Sequence, residues 1–409
     1  MPPVAMQTTI GRPSPVQAAA PRQVKSGMSM DVGGRLGLAL RTTVLCVALV
    51  FGHYAFAEGV GVWRSRWLVV IGLLSGFVLI WGNVRSARNI WLIGAVALGG
   101  IGINTALYGA ERAFEAPYLI SNLIIATVAL SGPLNLGVLQ LMVYCAGAEL
   151  VFRNMTGMDT PDGIQFFNYG SRNMASWLIL APASLYYAEC SRQGRDHSLW
   201  PALTCLVVSV LYEGRGGIIS AALLGGGLLV TKVNSRRSGY ALASFGLTVI
   251  ALGLLLSRFE DIALERLAHL DEHRFDSVER WQMWVNYFDG LKGVEWLTGG
   301  DLDADAYWRF YEHTHNSWLQ AHTRYGPGGI VLVCSCIVAV VLALRHQRVL
   351  AVVLLVLIGR VATDSLAFTR PFDFVLWIPL SMALALPGRV RPSTPGRERQ
   401  ALVKPVAAA

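Results

Sequence analysis

LWPALTCLVVSVLYEGRGGIISAALLGGGLLVTKV, residues 199–233, decides the fold. Two apolar runs, 199–213 and 216–233, are parted only by the triplet EGR. Apolar runs of roughly 17–20 residues are what a bilayer core of about 30 Å requires of a crossing helix. The same pattern recurs at 38–57, 67–83, 90–108, 117–131, 134–152, 173–190, 239–257, 328–344, 349–367 and 372–388. The chain is 15% charged with a mean hydropathy of +0.47, where a soluble domain carries about 25% charge. The expected class is therefore an all-α polytopic membrane protein of about twelve transmembrane helices, whose core is the helix bundle itself.

Between the runs the organisation is simple. Residues 1–34 are rich in Pro, Gly and Ala without hydrophobic period and read as a disordered cytoplasmic tail; no short apolar region marks them as a cleaved signal. Spans 1–9 occupy 35–257 and spans 10–12 occupy 328–388, with a basic tail at 389–409. Residues 258–327 form a large loop, far beyond ordinary connection length, and such loops are often functional. Within it, DSVERWQMWVNYF has helical signals, and Arg280, Trp284 and Phe288 recur at i, i+4, i+8.

Lysine and arginine placement orients the chain. With the N-terminus inside, the inner short loops carry Arg85, Arg88, Arg192, Arg195, Lys232, Arg236, Arg237, Arg345 and Arg348, and the tails add nine more. The outer loops hold Arg64, Arg66, Arg112, Arg153, Arg172, Arg215 and Arg370. Eighteen against seven puts the large loop outside. The net charge of +8 fits anchoring to anionic headgroups rather than nucleic acid. All six cysteines fall in apolar segments with no C-x-x-C pair, so neither a disulfide framework nor a zinc knuckle is expected.

Three positions on the outer side suggest chemistry. Arg215 sits among glycines, Arg280 lies in the loop helix, and His315-Asn316 precede the tenth span. Arginine offers a planar fork matched to phosphate oxygens. Histidine, titrating near neutrality, suits proton removal from a hydroxyl. Trp281, Trp284, Tyr307 and Trp308 are candidates for stacking on sugars, or for interfacial anchoring.

In order and spacing these segments resemble the O-antigen ligase and O-antigen polymerase superfamily of bacterial inner-membrane glycosyltransferases. The resemblance rests on EGRGGIIS (213–220), DSVERWQMW (276–284), LTGG (297–300) and HTHNSWLQAHTRYGPGGIVL (313–332), with FFNYGSRNMASWLILAP (166–182) supporting it. It covers about residues 165–345, and Gly214 stands where many members have serine. It implies a GT-C-like, metal-independent transferase without cofactors, with its active site on the periplasmic side. The donor is a glycan on undecaprenyl pyrophosphate. In the ligases the acceptor is a sugar hydroxyl of lipid A–core, and in the polymerases another lipid-linked repeat. Arg215 and Arg280 would bind pyrophosphate and His315 would be the base, supported by His313, Asn316, Arg172 and Arg324.

Two other classes compete. HLDEH, residues 269–273, fits the inverted zincin pattern, but a loop of this size offers little room for a metalloprotease fold. A secondary transporter would explain Glu149 and the Arg360–Asp364 spacing inside spans. Such transporters are built of repeated halves, and the chain shows no internal symmetry.

Overall fold

The computed structural model describes residues 32–57, 62–81, 84–156, 172–212, 214–233, 277–300, 316–363 and 372–386. The expected span at 239–257, residues 1–31 and 389–409 of the tails, Asp364 and the zincin-like 269–273 lie outside them, while residues 32–34 of the expected tail open the first helix.

The described residues are helical, with no strand among them. The first eight helices are α1 Val32–Ala57, α2 Val62–Ser75, α3 Arg88–Tyr108, α4 Glu115–Leu130, α5 Leu136–Met155, α6 Arg172–Gln193, α7 Trp200–Leu211 and α8 Arg215–Val233. The loop contributes α9 Ser277–Gly290, α10 Glu295–Thr298 and α11 Ser317–Tyr325, and the chain continues through α12 Pro327–His346, α13 Arg348–Ala362 and α14 Phe374–Leu384. Five helices among the described residues are long and apolar enough to cross a membrane. Helix is the form that satisfies backbone N–H and C=O groups where no water can. Breaks come where the local chemistry calls for them. Asn135 caps α5 by accepting from the Gly137 and Val138 amides, and Gly326, at φ +51°, turns the chain from α11 into α12.

Residues 175–190 of α6 are all buried, which makes it a central helix of the bundle. Trp177, Tyr187, Tyr212, Phe372, Phe374 and Trp377 fill the core around it. At one end of the bundle, Arg192 bonds Glu189 at 2.6 Å and the carbonyls of Leu130 and Gly132. Glu189 also accepts from the Leu134 amide and Gln193. Ser86 reaches Leu130 and Ser381 reaches Ser86 at this same end. Ser191 bonds Gln347, and His197 lies beside Leu228 and Thr231.

The Arg192 end thus gathers Arg85, Arg88, Arg192, Arg195, Lys232, Arg345 and Arg348, the described members of the set that the sequence places inside. At the other end, Asn104 donates to the carbonyls of Thr323 and Arg324, Arg324 pairs with Glu115, and Tyr212 donates to the Leu150 carbonyl. Helices α9, α10 and α11 attach at this Arg324 end.

Candidate active site

Arg215 is the first residue of α8 rather than a member of the break between the two runs. The glycines after it are explained by packing. A Cβ on Gly217 would stand 2.2 Å from Ser176 Cβ, and one on Gly216 would stand 3.2 Å from Arg360 Nη1. The first turn of α8 is therefore pressed between the first turns of α6 and the last turn of α13. Arg172, the first residue of α6, is at the same end.

Asn316 occupies the N-cap of α11, and its side-chain oxygen accepts from the Trp318 and Leu319 amides. That satisfies donors an α-helix otherwise leaves open. Trp318 Nε1 reaches the Ile358 carbonyl at 3.4 Å, so the start of α11 rests on the last turns of α13. The backbone immediately following His315 is thereby fixed beside the helix end that also meets Gly216. His313 and His315 themselves lie outside the described residues.

Arg280 lies in α9. Met283, Tyr287 and Leu291 are buried, and Tyr287 and Leu291 form an apolar cluster with Leu319 against which Trp284 packs. Positions 283, 284, 287 and 291 form one stripe at helical spacing, and Arg280 lies in the same helix, four residues before Trp284. Tyr287 Oη and His322 Nδ1 are 2.6 Å apart, and His322 Nε2 lies 3.1 Å from the Trp296 carbonyl. Burial holds the His322 pKa below the ordinary histidine value, with the Trp296 carbonyl opposing.

Two motifs quoted for the resemblance touch one another. Gly299, at φ +80°, leaves no room for a side chain, since a Cβ would stand 2.4 Å from the His322 carbonyl. A Cβ on Gly326 would meet the Thr298 carbonyl at 3.0 Å. Tyr108 of α3 donates to the Gly299 carbonyl at 2.8 Å, which ties LTGG to the bundle.

Arg324 pairs with Glu115, and Gln320, with its amide oxygen turned toward Arg324, accepts at 2.9 and 3.2 Å. Its pairing with Glu115 binds α11 to α4. Glu149 stands between His53 at 3.2 Å and Arg153 at 3.1 Å, beside a cavity of about 150 Å³ lined also by Pro182 and Phe372.

Sequence reading did not single out Tyr287, Glu115, Asn104 or Ser176. Their roles come from partners distant in the chain, so no local spacing carries a signal for them. Comparison with known protein families finds no match for the chain, and comparison with curated proteins finds none either.

Proposed function

We propose that the chain is a bacterial inner-membrane glycosyltransferase of the O-antigen ligase type, with twelve spans in a GT-C-like arrangement and residues 258–327 on the periplasmic side. One observation carries this reading. The start of α8 at Arg215 and the start of α11 just after His315 both abut the last turns of α13, and α9, the helix that carries Arg280, packs on α11. The sorting of lysine and arginine supports that end as the outer one.

The chemistry follows from those groups. The two arginine forks hold the pyrophosphate of an undecaprenyl-linked glycan and neutralise the charge that grows as it leaves. His315 takes the proton from a sugar hydroxyl of lipid A–core. The hydroxyl oxygen attacks the anomeric carbon, the bond from that carbon to the pyrophosphate oxygen breaks, and the new glycoside is inverted. Undecaprenyl pyrophosphate departs into the bilayer.

The test is to give purified protein the lipid-linked glycan together with lipid A–core. Product on the core supports the ligase. Lengthened lipid-linked glycan without core product shifts the reading to an O-antigen or exopolysaccharide polymerase using the same donor. No transfer of either kind, with saturable uptake of a soluble solute by vesicles, replaces the enzyme with a transporter.

A further inference from the structure

Arg360, 1% exposed, is the most deeply buried cation among the described residues. A charge in the interior of a membrane bundle is expensive, and where one persists it is usually tied to function. Its Nη2 donates to Ser176 Oγ at 3.3 Å, in the early turns of α6, and its Nη1 donates to Thr363 Oγ1 at 3.2 Å. Thr363 Oγ1 in turn donates to the Arg360 carbonyl at 2.9 Å, closing the last turn of α13. The guanidinium also lies against Gly216, the residue after Arg215, at a distance a Cβ would make tight.

Three helix ends therefore converge on one side chain. Two are N-terminal ends, α6 and α8, whose dipoles gain nothing from a cation. Helix-dipole stabilisation does not explain Arg360, whereas geometry does. A guanidinium is flat and carries several donors in fixed directions, so it spans Ser176 and Thr363 while its face or edge meets the α8 backbone. Lysine, a point donor on a flexible stem, does not reproduce that shape.

We propose that Arg360 is the positioning residue for Arg215. It fixes the first turn of α8, the turn that Arg215 opens, and binding of the donor pyrophosphate through Arg215 depends on that turn. The inference rests on the donor reading above for its purpose, but not for its geometry.

The test has two arms. The first measures donor and acceptor KM and kcat for wild type, Arg360→Gln, Arg360→Lys, Arg215→Ala and the double variant Arg360→Gln/Arg215→Ala. Donor KM is expected to rise about tenfold in Arg360→Gln, the scale of one charged hydrogen bond, and no more than partly recover in Arg360→Lys. Acceptor KM stays unchanged. In the Arg215→Ala background the Arg360 change adds nothing further to donor KM. Additive effects, or a loss confined to kcat and yield, overturn the proposal.

The second arm needs no activity. Arg215→Cys is labelled with a membrane-impermeant maleimide, with the exposed native thiols Cys145 and Cys334 changed to alanine. Labelling is expected to speed up severalfold when Arg360→Lys is added, and likewise when Gly216→Ala is added with Arg360 intact. Gly216→Ala keeps the arm decisive if Arg360 variants fail to fold. Unchanged labelling in the folded variants overturns the positioning role. A wild type that transfers nothing overturns the function while leaving this second arm to decide the geometry.

Discussion

Tyr287 donates its hydroxyl hydrogen to Nδ1 of His322 over 2.6 Å, and the opposite ring nitrogen faces the Trp296 carbonyl at 3.1 Å. A carbonyl only accepts, so in the neutral ring Nε2 carries the hydrogen and Nδ1 is left to accept from tyrosine. One imidazole thus joins α9, α10 and α11, and the helix bearing Arg280 is held to the helix that follows His315.

That staple makes docking of α9 sensitive to pH. His322 has a folded pKa below the ordinary value of 6.5, chiefly through burial. The undocked ring then binds its proton at higher pH than the docked ring, so docking is complete above 6.5 and weakens as pH falls through that value toward the depressed one. Amide hydrogen exchange in residues 277–290 is expected to speed up over that window and to lose the dependence in His322→Gln.

Tyr287→Phe leaves a partly buried ring nitrogen without this donor, at a cost of about 1–3 kcal/mol to docking. The expected readout is faster exchange in α9 with little change in α3 or α12. Uniform loss of protection across the bundle would contradict a local staple.

Asn316 separates capping from chemistry. Asn316→Ala is expected to destabilise α11 by about 0.5–2 kcal/mol, and Asn316→Ser or Asn316→Asp to restore most of it. Transfer activity should fall and recover in step with the thermal midpoint. Activity lost in all three variants at normal stability would instead make the amide itself part of the site.

Glu115 and Arg324 are both about four-fifths buried, with side chains 18% and 22% exposed. Removing either partner leaves a charge partly out of water. Glu115→Gln and Arg324→Gln are each expected to lower the unfolding free energy, and the loss in the double variant to fall short of the sum of the single losses by about 0.5–3 kcal/mol. Donor KM, measured in the same proteins, is expected to stay near wild type.

The helices were legible because the bilayer imposes one length and one composition on whatever crosses it, so runs such as 136–155 and 327–346 announce themselves. The division of Arg85, Arg192 and Arg345 from Arg112 and Arg153 between two ends of the bundle was legible too, because successive crossing helices return the chain to alternate ends. The contacts that set the candidate site were not. Arg360 was conspicuous as a charge inside an apolar run, but nothing local tied it to Ser176, 184 positions away in sequence. Likewise the glycines of LTGG and RYGPGG were read separately, while their reason is the close packing of one segment on the other.

The most direct measurement is transfer of glycan from undecaprenyl pyrophosphate to lipid A–core by wild type, His315→Ala, Arg215→Ala and Arg280→Ala, each with and without EDTA. The expected result is product from wild type despite the chelator, loss of turnover in His315→Ala with donor binding retained, and weakened donor binding in both arginine variants. Full turnover in His315→Ala, or donor binding untouched in both arginine variants, would contradict a site built from these three residues.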